Sequence, residues 1–393
     1  MKLIEAIAKN HKELTEWRQD IHAHPELGFE EERTAKLVAE RLESFGCEVH
    51  RGIGGTGVVG TLRSGSGTRT MGIRADMDAL PIQEANTFDH RSRNDGKMHA
   101  CGHDGHTTMV LGAAQYLAQT RNFDGTVHFI FQPAEEGLGG AKAMVEDGLF
   151  ERFPMETVFG IHNRPGLPMG KFAMRSGPMM AGGGFFDINL TGRGAHGARP
   201  EASADPIVAA SQIVTALQSV VARNVNPQDT AVLSVTRLHS GEAYNVIPND
   251  ATIGGTVRAF AKETLQLLEQ RIGEIATGVA SGLGVSVDYQ FRLIFLPLIN
   301  DATATKFAGD VAASIVSEDK VNREGPAIMA SEDFSYMLNE CPGAYINIGN
   351  GGGEGSCEVH NPGYDFNDQI LPLGATYFSR LVEIKLKRSV AMV

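Results

Sequence analysis

Nine consecutive residues, 98–106, hold a dense set of side chains that could do metal chemistry. They supply a thiol, imidazoles and a carboxylate, from Cys101, His99, His103, His106 and Asp104. Two glycines, Gly102 and Gly105, lie among them and let the backbone approach a ligand closely. Thiolate and imidazole ligands together favour Zn, Ni, Co or Mn over Mg or Ca. The pattern therefore indicates metal binding, and a surface loop that happens to be rich in histidine is the alternative interpretation.

More ligand-type side chains lie downstream, which favours the metal interpretation. They are Glu135, Glu136, His162 and His360, each in a segment rich in Gly, Pro or Asn. Adjacent residues at the end of a strand point in different directions, so Glu135 and Glu136 are not expected to bind one ion together. We expect one of these carboxylates to be a metal ligand and the other a general base. A solvated acidic turn is the alternative for this pair.

Several other polar residues could serve the same site. Asp76 and Asp78 could orient ligand histidines, or they could form an Asx turn before Pro81. His196 lies in a glycine-flanked loop and could reach a substrate. Cys357, three residues before His360, is a second candidate thiol ligand. Five other histidines have weaker signals. His99 and His106 are expected to support the site or pack in the core, His22 and His24 to be structural, and His128 to pack within a strand.

Composition and charge exclude several classes of protein, including nucleic-acid-binding and membrane-spanning proteins. The chain has 393 residues and a formal net charge of −12, which does not suit a nucleic-acid partner. It has no apolar run of about 18 residues, so no membrane span is expected. The first residues lack the apolar segment of a signal peptide, and four cysteines are too few for a disulfide framework. We therefore expect a cytoplasmic enzyme with reduced thiols.

The elements that must position these residues can be predicted from hydrophobic periodicity. Helices are expected at 1–24, 30–45, 109–117 and 368–387, and strands at 58–62, 70–74, 126–131, 158–161 and 344–348. Three of these strands (70–74, 126–131 and 158–161) each lead into a polar cluster. Ligands of an open α/β sheet bind outside the carboxyl ends of its strands, so the three clusters are expected to form one site.

A glycine-rich segment, 179–184, is expected to be a hinge. The pattern after it predicts strand 185–191, helix 203–223, strands 231–238 and 251–259, helix 262–282 and strand 285–293. These elements form an α+β unit of about 110 residues, close to the commonest domain size. If His360 belongs to the metal site, the chain must return after this unit. We therefore expect a catalytic domain of residues 1–182 and 297–393, with residues 183–296 inserted into it.

A series of motifs, in order along the chain, resembles the M20 metallopeptidase family. The resemblance is greatest to its amidohydrolase branch, which includes hippurate hydrolases, N-acyl-amino-acid amidohydrolases and plant indole-acetyl-amino-acid hydrolases. The motifs are Trp17–Phe29, Arg74–Pro81, Cys101–His106, Gln132–Gly137, Gly160–Asn163, Gly192–Gly197, Asn245–Pro248, Ser331–Phe334 and His360–Pro362.

This resemblance implies a fold and a set of site residues. The fold would be a zinc-exopeptidase-like α/β catalytic domain with a mixed sheet, plus an inserted α+β lid and dimerisation domain. Two divalent ions would share Cys101, one also bound by Glu136 and His360, the other by His103 and His162. Glu135 would be the general base and Asp78 the orienting carboxylate. His196 and Asn245 would reach, within a homodimer, into the active site of the partner.

The chain departs from the wider family at two ligand positions. Asp76 stands where that family has its first metal-binding histidine, and Cys101 stands where it has a bridging aspartate. This combination is typical of the amidohydrolase branch. Because thiolate favours softer ions, the choice among Zn, Mn, Co and Ni stays open.

The implied reaction is hydrolysis of the amide bond of an N-acyl-L-amino acid, which yields a carboxylic acid and a free amino acid. Arg258 and Asn245 are candidates to bind the carboxylate of that amino acid. A dipeptidase or aminopeptidase of the same fold is an alternative, as is a binding protein without catalytic activity. A metallo-β-lactamase-like hydrolase does not fit, because it requires a His-x-His-x-Asp-His motif.

Overall fold

The computed structural model describes residues 1–352 and 357–388. The chain divides into two compact units. The first unit comprises Met1–Met179, Ile299–Pro326 and Asp333–Val393, and the second comprises Met180–Leu298 and Ala327–Glu332. The sequence did not indicate that the short segment Ala327–Glu332 groups with the second unit.

The helices and strands are numbered in chain order. The helices are α1 (Glu5–Lys9), α2 (His11–Ala23), α3 (Glu32–Ser44), α4 (His103–Thr120), α5 (Gly140–Glu146), α6 (Leu149–Arg152), α7 (Pro206–Asn224), α8 (Lys262–Gly282), α9 (Ala302–Val316), α10 (Ser335–Glu340) and α11 (Leu371–Lys385). The strands are β1 (Glu48–Ile53), β2 (Gly57–Ser64), β3 (Thr70–Asp76), β4 (Gly125–Gln132), β5 (Val158–Pro165), β6 (Phe172–Ala173), β7 (Gly177–Met180), β8 (Gly182–Thr191), β9 (Ala195–His196), β10 (Ala231–His239), β11 (Val246–Ile247), β12 (Asp250–Ala259), β13 (Ser286–Phe295), β14 (Leu298–Asn300), β15 (Val321–Asn322) and β16 (Gly343–Gly351).

The first unit is built on a mixed sheet with the strand order β1-β2-β4-β3-β5-β16-β6-β15. The central strands β4, β3, β5 and β16 are parallel, whereas β1 and β2 run antiparallel to their neighbours. Asp76 at the end of β3 is level with Gln132 at the end of β4. The loops after these two strands, which carry Asp78 and Glu135, therefore leave the sheet at the same edge.

Helix α4 lies in the core of the first unit. It packs against β3 on one side and against α2 and α11 on the other. Its apolar residues from Met109 to Leu117 are mostly buried, and so are the polar residues of its first turn, His103, Asp104 and His106. A helix that is covered on all sides suits a sequence with few exposed polar positions. Its polar N-terminal turn therefore needs partners inside the protein.

The second unit contains an antiparallel sheet with the strand order β10-β12-β8-β13. Residues of β8 alternate between buried positions, such as Phe186 and Ile188, and more exposed ones, such as Phe185 and Asp187. This alternation is typical of a sheet with one covered face. Helices α7 and α8 pack on the sheet through apolar residues.

The predicted α/β class with a mixed sheet is confirmed, and most predicted elements are present. The predicted helix at 1–24 is divided at Asn10 into α1 and α2. The sequence missed β1, and His162 lies inside β5 rather than after it. The predicted hinge at 179–184 consists largely of the adjoining ends of β7 and β8. Among the described residues, no helix is both long and apolar enough to cross a membrane.

Candidate metal centre

Cys101 and His103 are brought together by the backbone turn at Gly102, which directly precedes α4. Gly102 has φ 103°, a conformation that favours glycine. A Cβ atom there would also collide with Asn163 and lie 2.8 Å from the hydroxyl oxygen of Tyr364. The turn therefore requires glycine at this position and fixes how the thiol and the imidazole are presented.

The first group of predicted ligands consists of Cys101, His103 and His162, whose ligand atoms lie within 4.8 Å of one another. The Cys101 Sγ atom is 3.3 Å from Nε2 of His162. Nδ1 of His162 donates to the carbonyl of Asn163 at 2.6 Å, and Nδ1 of His103 donates to the carbonyl of Asp78 at 2.9 Å. These bonds direct Nε2 of both histidines to the site.

The second group consists of Cys101, Glu136 and His360, again with ligand atoms within 4.8 Å of one another. Nε2 of His360 lies 3.1 Å from Oε1 of Glu136. His360 has φ 65°, and its N–H donates to the carbonyl of Ala100 at 2.6 Å. Cys101 belongs to both groups, so the five side chains form two triads that share one thiol.

The site contains buried polar atoms that the described protein residues leave unsatisfied. Nε2 of His103 and Oε1 of Glu136 are both buried and lack a hydrogen bond of good geometry to the described residues, although Nε2 of His360 lies 3.1 Å from that oxygen. Buried polar atoms without hydrogen bonds are uncommon in folded proteins, and a bound ion would supply the missing partner here. The donor set of one thiolate, three imidazoles and one carboxylate suits Zn, Mn, Co or Ni. The residues present therefore fit a pair of divalent ions.

Asp76 and His106 form a third group with His103, but both are committed to other partners. Nδ1 of His106 donates to Asp76 at 2.7 Å, and its Nε2 accepts from the backbone N–H of Asn163 at 3.0 Å. The other oxygen of Asp76 accepts from Arg74 at 2.7 Å. These two residues therefore hold the surroundings of the site in place rather than offering free ligand atoms.

Glu135 lies beside the first group and is 7% exposed. Its Oε2 atom is 4.0 Å from Nε2 of His103. Glu135, Glu136 and His103 each offer an atom within 4.8 Å of the others, so the two carboxylates converge more closely than the sequence led us to expect. Ala134, directly before this pair and two residues after the end of β4, has a left-handed backbone with φ 51°.

Burial and neighbouring charges set the protonation of these groups before a cation binds. Burial, with nearby His106, lowers the pKa of His162 to about 3, so its imidazole is neutral and can act as a ligand. Burial and the nearby Glu136 carboxylate raise the pKa of the Cys101 thiol. Burial opposes the charged form of His103, yet the Asp76 carboxylate outweighs it and raises the pKa of His103. A cation bound here would displace the protons of Cys101 and His103.

Comparisons with known proteins identify the family of the chain. Residues 72–384 match peptidase family M20/M25/M40. The chain belongs to this family. It is 45% identical to the hippurate hydrolase of Campylobacter jejuni subsp. jejuni over 98% of this chain and 100% of that protein. It is 41% identical to IAA-amino acid hydrolase ILR1-like 2 of Arabidopsis thaliana over 94% of this chain and 84% of that protein.

A solved structure extends the comparison to three dimensions. The Bacillus subtilis YXEP protein, described as a dinuclear metal binding peptidase from the M20 family, superimposes with a TM-score of 0.83 at 35% identity. The alignment covers 97% of this chain and 99% of that one. The predicted membership of the amidohydrolase branch of M20 is confirmed, and this chain is a metal-dependent hydrolase.

The other predicted site residues of this M20 chain lie in its second unit. His196 in β9 pairs with Val246 of β11, and the carbonyl of Asn245 accepts the N–H of Gly197 at 2.8 Å. His196 and Asn245 are therefore neighbours on one exposed two-stranded ribbon. Arg258 lies in β12 and donates to the Thr256 hydroxyl at 2.6 Å. Burial lowers the pKa of Arg258.

Several residues that support the site were not singled out from the sequence. Tyr364 accepts from the side-chain amide of Asn163 at 2.6 Å, and Glu31 accepts the N–H of Ala134 at 2.8 Å, next to Glu135. Arg18 is buried among carboxylates. The only available signal was that Arg18 and Asn163 lie inside motifs shared with the family. Among the described residues, the candidate ligand groups do not include Cys357.

Proposed function

We propose that this protein hydrolyses the amide bond of N-acyl-L-amino acids, with aryl-acyl amino acids such as benzoyl-glycine among its substrates. The observation that carries the proposal is the pair of ligand triads that share Cys101 and have Glu135 beside them. The relatives named hippurate hydrolase and IAA-amino acid hydrolase act on this chemical class, as their names state. Both align along nearly the whole of this chain.

Each predicted site residue has a distinct task in this reaction. Cys101, Glu136 and His360 would hold one divalent ion, and Cys101, His103 and His162 would hold the other. When bound, the ions supply Lewis acidity, which polarises the amide carbonyl and makes water a nucleophile near neutral pH. Glu135 accepts the proton of the attacking water and passes it to the leaving amine. Asp78 orients His103.

Residues of the second unit would recognise the substrate. We propose that His196 donates a hydrogen bond to the carbonyl oxygen of the scissile amide as negative charge develops there. Asn245, its neighbour on the same ribbon, would assist it. Arg258 would bind the carboxylate of the leaving amino acid, because a guanidinium matches a carboxylate in geometry and charge.

We further propose a homodimer in which His196 serves the partner's site. Support comes from the edge of the second unit at β10 and the neighbouring α7. Arg223 is the one charged residue among the 19 of α7, and Ile207 and Val208 are 41% and 45% exposed. By contrast, α8 carries charges at Lys262, Glu263, Glu269, Arg271 and Glu274. Depletion of charge is typical of the core of an interface.

Residence in the cytoplasm is also part of the proposal. All four cysteines lie among the described residues and none forms a disulfide. Free thiols of this kind persist in a reducing compartment.

The function is tested by turnover of benzoyl-glycine and of glycyl-glycine by purified protein. Separate preparations are supplied with Zn, Mn, Co or Ni. We expect release of glycine from benzoyl-glycine and much slower cleavage of the dipeptide. Preference for the dipeptide would indicate a dipeptidase. No turnover of any acyl-amino acid with any of the four metals would indicate a binding protein and refute the proposal.

A further inference from the structure

A cluster of buried charges lies behind the candidate metal centre, and Arg18 is its central residue. The Arg18 side chain on α2 is fully buried. Its Nη1 donates to Asp365 at 2.7 Å, and its Nε and Nη2 donate to the two oxygens of Asp368 at 2.6 and 2.9 Å. Nη1 also lies 3.6 Å from Asp104, the residue after His103. An arginine that is desolvated and paired in this two-pronged geometry holds its carboxylates firmly.

Of the two carboxylates that Arg18 binds, Asp365 belongs to the segment that presents His360, and Asp368 begins the helical turn that directly follows it. Residues 357–367 of this segment form no helix or strand. Other contacts also hold the segment. Tyr364 and Phe366 are buried in the core, and Asn367 forms two hydrogen bonds with Asn350. The N–H of His360 itself donates to the carbonyl of Ala100. Arg18 therefore connects α2 to this irregular segment through its hydrogen bond to Asp365, and to the helical turn directly after the segment through its two hydrogen bonds to Asp368.

The two triads are supported very differently. His162 lies within β5 in the middle of the main sheet, and His103 begins the buried helix α4. His360 is 50% exposed and is presented by the irregular segment. Regular structure holds one triad in place, whereas the other depends on how the segment is anchored.

From this asymmetry we propose that Arg18 is a positioning residue that selectively maintains the ion held by Glu136 and His360. It acts through Asp365 and Asp368, which fix the His360 segment, and it contacts no ligand itself. The inference rests on the proposed two-metal site. When the guanidinium geometry is lost, the His360 triad is held less firmly and the His103–His162 triad is unchanged. The affinity for the ion held by Glu136 and His360 therefore falls, and the affinity for the other ion stays the same.

The test is a titration of metal-free protein with Co²⁺, followed by calorimetry, for the wild type, Arg18→Lys and His360→Ala. Lysine keeps the charge and loses the two-pronged geometry. We expect the weaker Co²⁺ step of Arg18→Lys to lose about 10- to 100-fold in affinity, the usual effect of removing an outer support of a metal ligand. The tighter step should be unchanged. Adding Arg18→Lys to His360→Ala should not weaken the one remaining step further.

Two further variants separate this role from a general effect on folding. Arg33→Lys alters an ion pair between Arg33 and Asp20. Asp20 lies on α2, as Arg18 does, but this variant should leave both Co²⁺ steps unchanged. Asp365→Asn removes one partner of Arg18 and should weaken the same step as Arg18→Lys, which provides a second test if Arg18→Lys does not fold.

Three results would overturn the proposal: wild-type affinities for both ions in the folded Arg18→Lys protein, equal weakening of both steps, or a single Co²⁺ site in the wild type. The titration needs no substrate. A wild type that binds two Co²⁺ ions without hydrolysing any acyl-amino acid would therefore refute the proposed function and leave the role of Arg18 testable.

Discussion

Asp78 and Glu136 are joined by a hydrogen bond from the backbone N–H of Glu136 to Oδ2 of Asp78, 2.9 Å long. The other carboxylate oxygen of Asp78, Oδ1, accepts from Nδ1 of His103 at 3.1 Å. One buried carboxylate thus supports a predicted ligand of each ion. It also fixes the tautomer of His103, because the nitrogen that donates to Asp78 carries the proton and leaves Nε2 as the ligand atom.

Asp78→Asn should therefore weaken the binding of both ions, whereas Arg18→Lys should weaken the binding of only one. The amide presents an NH₂ group to one of the two donors and offers the other a neutral oxygen, which accepts more weakly than a carboxylate oxygen, so the support of both His103 and Glu136 is reduced. We expect about a 10- to 100-fold loss in affinity at both Co²⁺ steps. Calorimetric titration of the metal-free variant measures this. Wild-type affinities would show that Asp78 is not needed to orient the ligands.

Glu135→Gln should abolish proton transfer and leave the metal ions in place. Glutamine has the size of glutamate and can form a hydrogen bond, but it cannot accept the proton of the attacking water. We expect kcat for benzoyl-glycine to fall at least ~10²-fold, the lower range for loss of a general base. Elemental analysis should find the metal content unchanged. Normal turnover in this variant would exclude Glu135 as the base.

His22 should make folding stability depend on pH. Burial opposes its charged form, yet hydrogen bonds to Asp104 on α4 and Glu84 in the loop after β3 raise its pKa from 6.5 to about 9, while Arg18 on its own helix acts in the opposite direction. The rings of His90 and His99 also lie nearby. Because the pKa is higher in the folded protein, His22 stabilises it fully below about pH 6.5, and this stabilisation is lost as the pH rises through 9.

The size of this effect can be measured by urea unfolding of metal-free protein at pH 6 and pH 9. The shift in pKa corresponds to about 3 kcal/mol of unfolding free energy. His22→Gln cannot be protonated, so its free energy of unfolding should fall by less than that of the wild type between these two pH values. Equal falls in the two proteins would show that His22 does not titrate in this range.

The sequence predicted those parts of the molecule whose pattern lies within a few consecutive residues. Strands β3 and β4 have short apolar runs followed directly by polar clusters, and Cys101 and His103 are two residues apart. By contrast, β1 is a short strand at the edge of the main sheet with mostly exposed or half-buried side chains, so it has no apolar pattern to detect.

The supporting residues escaped prediction because their partners are distant in sequence. Arg18 meets Asp365 across 347 residues, and Asn163 meets Tyr364 across 201. One sequence does not indicate which distant carboxylate or hydroxyl a buried polar side chain will meet. The sequence also did not indicate the left-handed conformation of Ala134, directly before Glu135 and Glu136, because alanine rarely adopts it.

The proposed dimer makes a prediction about mixing two inactive variants. His196→Ala should fold and bind two ions, because His196 is exposed and lies on the second unit, far in sequence from the predicted ligands. It should lose activity, because it no longer has the proposed hydrogen-bond donor to the scissile carbonyl. Glu135→Gln should be inactive for the reason given above. If His196 acts on the partner's site, a mixed dimer contains one site with both an intact Glu135 and an intact His196. Random reassociation of equal amounts should then restore roughly one quarter of the wild-type sites.

The measurement is turnover of benzoyl-glycine after the two variants are dissociated together and allowed to reassociate. Native mass spectrometry establishes that mixed dimers have formed, and each variant treated alone is the control. Recovery should follow the fraction of mixed dimers, since neither parent dimer contains a complete site. If mixed dimers form and no activity returns, His196 acts within its own chain or has no part in the reaction, and the proposal of a shared site is wrong.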